Sequence, residues 1–434
     1  MNIEVKIKKI VIAPNSFKEW KLSSEIAEIM RDAIIGYCTE RGIQTPELDV
    51  VPIGDGGEGT IDAILNAGTG GIKTTVRDVV DPVGNRIESW YLSLPQPKKT
   101  AFIEMAKASG LYLIPPNQRN PLHTTSYGVG QLIAHAYQNG HRRIIIGVGG
   151  AGSHDGGAGM AQALGVELID RSGAKIRADY MSNFKLKQLD YGSWELRGLA
   201  QKIAEDKNIE IEIASDVDNP LLGPQGASQI FGRQKGATDE QIPILERNLT
   251  ILADVSEWLL KDTSDKRAVY FDRLKAHGID SADINFRHIA GTGAAGGLSY
   301  GALIFLGAYI GKGMIPVREL VDLKGHIRDA DLVITGEGRL DDTTFGGKVV
   351  MGVGEVARLV ASEQDRIGKL PVITICGNEG KYDKERARVY VDAVYSTSTK
   401  PIGFDDIMRM GKTNLASTVQ QAFDDVLHKK YRRL

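Results

Sequence analysis

Acidic residues stand in or beside several glycine-rich segments of this chain, and that combination can support phosphoryl transfer. Phosphoryl transfer needs a cradle for phosphate, a divalent cation held by carboxylates and a group that accepts a hydroxyl proton. Mg²⁺ suits such a site because it prefers oxygen ligands. One Asp beside Gly is more simply a turn or a helix cap, so only the recurrence predicts a shared cleft. The candidate acids are Asp55, Glu58, Asp155, Asp216, Asp218, Glu337 and Asp341.

Glycine is enriched in the same places. The chain of 434 residues contains 50 glycines, about 11.5% against a usual frequency of about 7%. The segments 54–59, 147–159, 291–301 and 336–347 hold 20 of these glycines, and all but 291–301 follow an apolar run typical of a strand. Because glycine has no Cβ, its backbone N–H can approach an anion closely. Tight turns would explain one such segment, whereas four segments with acids favour a phosphate or nucleotide site.

Candidate cations are fewer than candidate acids. Each of three lysines follows a loop of this type, where it could neutralise phosphate charge or bind a carboxylate. Solvation at the surface is the commoner role of lysine. His154 lies between Ser153 and Asp155, but adjacent residues do not diagnose a catalytic triad, and no His or Cys spacing predicts zinc. The lysines are Lys18, Lys235 and Lys348.

Two standard nucleotide motifs are not matched. A P-loop requires Gly-x-x-x-x-Gly-Lys-Ser/Thr, whereas Gly346, Gly347 and Lys348 are followed by Val349. Residues 291–296 (GTGAAG) satisfy Gly-x-Gly-x-x-Gly, but no clear strand leads into them and no acid lies about 20 residues later. We interpret this segment as a site of close helix–helix packing.

Composition and charge exclude several classes of protein. Lys and Arg number 53 and Asp and Glu 55, a net charge of −2, and no basic stripe indicates nucleic-acid binding. Cys38 and Cys376 are the only cysteines, so we expect no disulfide framework and a reducing compartment. The start of the chain lacks a signal peptide's apolar core, and the longest mostly apolar run, 300–311, is too short to cross a bilayer. We expect a cytoplasmic protein without nucleic-acid or membrane partners; the oligomeric state is open, with a homodimer as one candidate.

Strand-like and helix-like segments alternate at both ends of the chain. Strands are predicted at 8–13, 47–53, 331–335 and 371–376. Such alternation is typical of a parallel sheet with helical crossovers. Residues 72–105 instead form three extended runs joined by turns, which predicts a meander and the start of a second domain.

We therefore predict an α/β protein with two α/β domains. A discontinuous Rossmann- or flavodoxin-like parallel-sheet domain, residues 1–75 and 288–434, is interrupted by a domain with a mixed sheet at residues 76–287.

Seven motifs along the chain resemble, in order, those of the type I glycerate kinases, which are ATP-dependent and unrelated to P-loop kinases. The resemblance implies an active site in the cleft between two α/β domains, holding ATP, Mg²⁺ and D-glycerate. It also implies transfer of the γ-phosphoryl group to a glycerate hydroxyl, with 2-phosphoglycerate the usual product, in a cytoplasmic enzyme. The matching segments are 12–18 (IAPNSFK), 52–60 (PIGDGGEGT), 103–111 (IEMAKASGL), 147–165 (GVGGAGSHDGGAGMAQALG), 215–238 (SDVDNPLLGPQGASQIFGRQKGAT), 291–301 (GTGAAGGLSYG) and 331–348 (DLVITGEGRLDDTTFGGK).

Roles for individual residues follow from the resemblance as hypotheses. Either Asp216 or Asp155 would accept the hydroxyl proton, with Lys18 as a further catalytic residue. Asp55 and Glu337 are the expected Mg²⁺ ligands. Residues expected to contact the substrate are Asn15, Ser16, Asp55, Lys235 and His154. Residues expected to bind the nucleotide are Gly293, Gly336, Glu337, Gly338, Asp341, Gly347 and Lys348.

The chain departs from the family pattern within these loops. The family commonly has Asp where this chain has Asn15, and Trp20, His154 and Thr343 also differ from the usual residues. Three alternatives therefore stay open: a related kinase with another small hydroxy-acid substrate, a non-catalytic ligand-binding relative, and a nicotinamide dehydrogenase using residues 291–296.

Overall fold

The computed structural model describes residues 7–17, 20–95, 98–176, 180–261, 273–279, 285–366, 370–398 and 404–429. The chain forms two compact units. The first unit contains residues 1–55, 59–70 and 312–434, and the second contains residues 56–58 and 71–311.

Helices and strands alternate along most of the described chain. The strands are β1 (Lys9–Pro14), β2 (Glu47–Val50), β3 (Ile72–Val80), β4 (Arg86–Leu94), β5 (Thr100–Glu104), β6 (Arg143–Gly147), β7 (Val166–Ile169), β8 (Ser193–Leu196), β9 (Glu210–Ser215), β10 (Tyr309–Lys312), β11 (Leu332–Leu340), β12 (Val372–Glu379) and β13 (Ala393–Ser396). The helices are α1 (Ser23–Arg41), α2 (Thr60–Asn66), α3 (Ala106–Ser109), α4 (Tyr127–Gln138), α5 (Ala158–Ala163), α6 (Asn183–Leu186), α7 (Gly198–Glu205), α8 (Ala227–Phe231), α9 (Gln241–Lys261), α10 (Ala294–Leu306), α11 (Met314–Leu320), α12 (Leu323–Ile327), α13 (Val349–Glu363), α14 (Lys384–Arg388) and α15 (Phe404–Leu427).

The first unit is built on a five-stranded sheet in the order β13-β12-β11-β1-β2. Every neighbouring pair is parallel, and Ile12 of β1 lies opposite Ile334 of β11 and Val50 of β2. Apolar residues of β1 and β11 are fully buried, as expected for strands covered by helices on both faces. The predicted parallel sheet is therefore present.

The second unit contains a six-stranded mixed sheet in the order β10-β9-β6-β5-β4-β3. β3, β4 and β5 are antiparallel neighbours, whereas β5, β6 and β9 run parallel. The predicted meander at 72–105 corresponds to β3, β4 and β5, and the predicted α/β class with one parallel and one mixed sheet is confirmed.

Two details differ from the sequence predictions. The strand predicted at 331–335 extends to Leu340, so Gly336, Glu337 and Gly338 lie inside β11 and not in a loop. The extension is possible because β12 supplies backbone partners as far as Glu379. In addition, α10, which the predicted partition assigns to the first domain, lies in the second unit.

None of the helices in the described part of the chain combines the length and the apolar character that a membrane span requires.

Candidate functional site

Polar residues gather at the carboxyl edge of the parallel sheet in the first unit. Asn15 directly follows β1, Asp55 follows β2, and Glu337 lies in β11, the neighbour of β1. The backbone N–H of Asn15 donates to the carbonyl of Gly336 at 2.8 Å, and its Nδ2 donates to Asp55 Oδ2 at 3.5 Å. Open parallel sheets bind ligands at this edge because the strand ends and the following loops converge there.

Glu337 is a buried carboxylate with an unusual proton affinity. Its side chain is 5% exposed, and the hydroxyl of Thr344 donates a hydrogen bond to Oε1. Burial raises the pKa of Glu337 to about 7; Thr344 and Lys348 oppose this shift, while the carboxylates of Asp341 and Asp55 add to it. A cation beside Glu337 would favour the ionised form.

Asp341, Thr343 and Lys348 form a hydrogen-bonded chain ahead of α13. Lys348 Nζ donates to Thr343 Oγ1 at 2.7 Å, and that hydroxyl donates to Asp341 Oδ1 at 2.6 Å. Although partial burial acts to raise it, the pKa of Asp341 is lowered, mainly by hydrogen bonds from Thr343. Lys348 thus stands at the N-terminus of a 15-residue helix, where backbone N–H groups favour anions.

Gly347 and Lys312 lie together beside that helix start. Gly347 has φ of +120°, and a Cβ placed there would lie 2.7 Å from Lys312 Cδ. Only glycine adopts this conformation readily. The first unit therefore places two lysines and a glycine-rich turn at one helix N-terminus, and Lys312 was not among the residues predicted from sequence.

Strand packing requires glycine at positions 336 and 377. A Cβ on Gly336 would lie 2.3 Å from the carbonyl oxygen of Ile375, and a Cβ on Gly377 would lie 2.6 Å from the carbonyl oxygen of Gly338. The predicted contacts of Gly336 and Gly338 with a nucleotide stay predictions.

The loop after β1, which is predicted to contact the substrate, is described in part. Ser16 donates its backbone N–H to Asn15 Oδ1 at 2.8 Å. Lys18 lies outside the residues that the structure describes. Phe17 and Lys21 pair as an isolated bridge, and Trp20 packs on α15, where a Cβ on Gly411 would lie 2.7 Å from Trp20 Cζ2.

In the second unit, Asp155 is fully buried and surrounded by donors of its own chain. Oδ2 accepts hydrogen bonds from the N–H and hydroxyl of Ser126 and from the N–H of Gly159, and Oδ1 accepts from the N–H of Gly157. Burial raises the pKa of Asp155 and these hydrogen bonds oppose the rise. Asp155 therefore joins the starts of α4 and α5.

Lys235 and His154 are also inside the second unit. Lys235 is 2% exposed and donates from Nζ to the carbonyl of Ser153 at 2.5 Å. His154 has no exposed surface, and its Nε2 lies 3.1 Å from Ser228 Oγ. Burial, with the charge of Lys235, keeps the pKa of His154 well below its ordinary value, so the imidazole is neutral. Neither side chain lies at the surface, and the predicted contact of these two residues with the substrate stays a prediction.

Asp216 and Asp218 are exposed acids of this unit. They follow β9, the strand next to β6, so they stand at the carboxyl edge of the parallel part of the mixed sheet. Of the two predicted candidates for proton acceptor, Asp216 is exposed and Asp155 is not.

The segment 291–301 contains a left-handed turn. Ala295, Gly296 and Gly297 have φ of +54°, +66° and +84°. A Cβ on Gly301 would lie 2.7 Å from Cα of Gly157. This backbone contact between α10 and α5 agrees with the close-packing interpretation of GTGAAG. Gly293 lies in this second unit, whereas the other predicted nucleotide residues lie in the first.

Comparison with known proteins decides the family. The family model described as "Glycerate kinase family" matches residues 10–427. The chain belongs to the glycerate kinase family. It is therefore a kinase, and membership implies the use of ATP. The resemblance seen in the sequence motifs is confirmed.

Individual members of the glycerate kinase family are similar over nearly the whole chain. A protein named glycerate kinase from Bacillus subtilis (strain 168) is 38% identical over 402 residues, 92% of each chain. A protein named glycerate 2-kinase from Escherichia coli (strain K12) is 38% identical over 412 residues, 94% of this chain and 95% of its own. The crystal structure of a putative glycerate kinase 2 from Salmonella typhimurium LT2 has a TM-score of 0.74 at 36% identity, covering 97% of this chain and 98% of that one.

Some residues of this candidate site were not predicted from sequence. Thr344 could have been found, because it lies seven residues after Glu337 in the same motif. Ser126 gives no local signal, because 29 residues separate it from Asp155. Lys312 lacks one too, since it approaches Gly347 only after folding.

Proposed function

We propose that this kinase transfers the γ-phosphoryl group of ATP to a hydroxyl group of D-glycerate, with Mg²⁺ as cofactor and 2-phosphoglycerate as product. The observation that carries the proposal is the edge of the parallel sheet. There a buried carboxylate with a raised pKa, Glu337, lies near Asp55 and ahead of the lysine-flanked N-terminus of α13. The relatives' names, glycerate kinase and glycerate 2-kinase, support the choice of substrate and product.

The donors around Glu337 fit Mg²⁺. Asp55 and Glu337 are buried oxygen donors close enough for Asp55 to raise the pKa of Glu337. Within the described part of the chain, no three His, Cys, Asp or Glu side chains gather as a metal site. A pair of carboxylates suffices for Mg²⁺, which commonly keeps waters and binds substrate phosphates. When bound, Mg²⁺ would offset the negative charge of the phosphate oxygens.

The start of α13 suits the nucleotide phosphates. Lys348 Nζ donates a hydrogen bond to Thr343 Oγ1, and Gly347 has no Cβ that would cover the backbone. The first N–H groups of the helix point toward its N-terminal end, where an anion can accept hydrogen bonds from them. We assign Asp341 to holding this turn, because its Oδ1 accepts from both the N–H and the hydroxyl of Thr343.

We assign the proton acceptor to Asp216. An acceptor must reach the hydroxyl it deprotonates, and Asp216 is an exposed acid at a strand end. Asp155 uses both oxygens to bind its own chain, so we assign it to holding α4 and α5. Asn15, Ser16 and Lys18 are proposed to bind the carboxylate of the acid.

The deciding experiment is ³¹P NMR of the products after incubation with Mg-ATP and D-glycerate. A new phosphomonoester resonance matching 2-phosphoglycerate is expected, and Asp216→Asn should lower kcat by about 100-fold or more with an unchanged melting temperature. Near-wild-type turnover of the variant would remove Asp216 from this role. ADP release with another small hydroxy acid, but not with D-glycerate, would favour the altered-substrate alternative raised by Asn15 and Trp20.

Absence of ATP turnover with every acid tested would favour a ligand-binding relative. A phosphomonoester resonance matching 3-phosphoglycerate would retain the substrate and change the hydroxyl group that is phosphorylated.

A further inference from the structure

The ammonium group of Lys235 binds the protein backbone. It ends a short 3₁₀ turn, Arg233–Lys235, after α8, and its side chain is 2% exposed. Nζ donates to the backbone carbonyl of Ser153 at 2.5 Å. A buried ammonium group is costly unless its donors are used, so a residue of this kind contributes through the backbone it holds.

Lys235 lies where two glycine-rich segments, 147–159 and 291–301, contact each other. A Cβ on Gly296 would lie 2.4 Å from the carbonyl oxygen of Ser153 and 2.8 Å from Lys235 Nζ. The N–H of Gly156 donates to the carbonyl of Gly296 at 3.0 Å. The ammonium group, the loop after β6 and the left-handed turn at 295–297 therefore meet at one point.

The second of these segments continues to the loop that carries Asp216. The N–H of Gly293 donates to the carbonyl of Asn219 at 2.9 Å. The N–H of Leu221 donates to Thr292 Oγ1 at 3.0 Å. Residues 292–293 thus fix the chain only a few positions after Asp216, and their own place depends on the turn that packs against Lys235.

We propose that Lys235 is a positioning residue: its ammonium group fixes residues 153–156 against the turn 295–297, and through that turn it orients the Asp216 loop. It contacts neither ATP nor the hydroxy acid. The proposal rests on the kinase reaction proposed above for its catalytic readout, and it has a second readout that does not depend on activity.

Both readouts, the pH dependence of kcat and that of stability, depend on the charge of Lys235. Burial lowers the pKa of Lys235 to about 7, and Asp155 opposes the shift; the other nearby titratable group, His154, is neutral. The ammonium group loses its charge as pH rises through about 7, and an uncharged amine is a weaker donor. We expect kcat to fall above that pH, with little change in KM.

Stability should depend on pH for the same reason. In the unfolded chain the lysine keeps its proton up to a pH of about 10.4, whereas the folded chain releases it near 7. Between these values the unfolded state binds more protons, so this group makes folding more favourable as pH rises. Below about 7 both states are protonated and the contribution is constant.

The test compares Lys235→Met with wild type and with Lys207→Met, which removes an exposed lysine of the same unit. We expect K235M to lower kcat by roughly 100-fold, as a small displacement of a catalytic group can, with KM for Mg-ATP and for D-glycerate changed less than about 3-fold. K207M should match wild type. Reduced affinity for D-glycerate with unchanged kcat would overturn the proposal, because it would make Lys235 a substrate ligand.

Melting temperatures of the same proteins from pH 7 to pH 10 provide the second readout. The difference between wild type and K235M should change steadily over this range, and that between wild type and K207M should not. A flat difference for K235M would show that Lys235 keeps its charge and would overturn the assignment of the kcat decline to it.

If K235M does not fold, the wild-type profiles decide: kcat that is constant from pH 7 to pH 9 contradicts the proposal. Failure to phosphorylate D-glycerate would remove only the proposed reaction, since the melting data would still report on Lys235.

Discussion

The hydroxyl of Thr344 donates a hydrogen bond to the buried carboxylate of Glu337. This contact lowers a pKa that burial raises to about 7. Close to physiological pH, the ionisation of Glu337, and with it the proposed binding of Mg²⁺, therefore depends on a neutral hydroxyl group as well as on the charge of Lys348.

Thr344→Val should shift the acidic limb of the pH profile. Loss of a hydrogen bond to a charged group costs about 1.5–3 kcal/mol, which corresponds to a rise of about 1–2 units in the pKa of Glu337. We expect kcat/KM at pH 7 to fall and to recover at higher pH, as measured in a coupled ADP assay. Thr343→Val removes the neighbouring hydroxyl that binds Asp341 instead. An equal shift in that variant would contradict the specific role of Thr344.

Stabilisation by Mg²⁺ should also depend on Glu337. In the absence of metal, the pKa of Glu337 is raised in the folded state, so this group makes folding less favourable as pH rises from about 4.5 to about 7. Added Mg²⁺ should therefore raise the melting temperature more at pH 8 than at pH 6, because it binds the ionised form. In Glu337→Gln both the Mg²⁺ effect and its pH dependence should be lost. A wild-type Mg²⁺ effect that is equal at both pH values would refute a metal role for Glu337.

Gly347→Ala should weaken nucleotide binding. The φ of +120° at Gly347 is unfavourable for a residue with a Cβ, and the added atom would approach Lys312. A cost of about 1–2 kcal/mol predicts a rise in KM for ATP of roughly tenfold. The matched control is Gly346→Ala, because a Cβ on Gly346 would meet no atom within 4 Å. The prediction is wrong if both variants have the same KM for ATP.

Gly411→Val should disturb binding of the hydroxy acid. Valine there would displace Trp20, whose indole lies where the side chain would stand. Trp20 lies between β1 and α1, as Asn15 and Ser16 do. Overpacking of about 1–3 kcal/mol should therefore raise KM for D-glycerate severalfold and leave KM for ATP unchanged. Met410→Ala changes a neighbouring exposed side chain on the same helix and should have no effect. A rise in KM for ATP alone would argue against this link.

Asp155→Asn should lower stability. An amide cannot accept from all the N–H and hydroxyl donors that Asp155 binds, and its NH₂ group would face some of them. Breaking a buried hydrogen-bonded network of a charged group is expected to cost about 3–5 kcal/mol, visible as a lower urea midpoint. Asp218→Asn, at an exposed acid, should leave the midpoint unchanged. Full stability of D155N together with a large loss of kcat would return Asp155 to the role of proton acceptor.

The fold was predictable from sequence because its signals are local. Apolar runs such as 8–13, followed by helical periodicity, predict the parallel sheet, and the turns within 72–105 predict the meander. The extension of β11 through Gly336 and Gly338 was not predictable, because it depends on pairing with β12, a strand distant in the sequence.

The candidate site was predictable in its residue types and less so in its geometry. The predicted acids do include a buried carboxylate, Glu337, and an exposed one, Asp216. Whether an acid or a lysine faces solvent or its own chain depends on distant partners. Ser126 binds Asp155 across 29 positions and Ser153 binds Lys235 across 82. No local pattern reports such contacts.

The contact between Gly157 and Gly301 restricts which amino acids these two positions can accept. A Cβ on either residue would lie within 3 Å of the other's Cα. In most cores a larger side chain on one element can be accommodated by a smaller one opposite. Here both partners already have the smallest side chain, so neither position offers a compensating change, and substitutions must be accommodated by moving α5 away from α10. These two positions of the kinase are therefore expected to tolerate few amino acids in a deep mutational library, even though neither glycine has a side chain that could take part in the reaction.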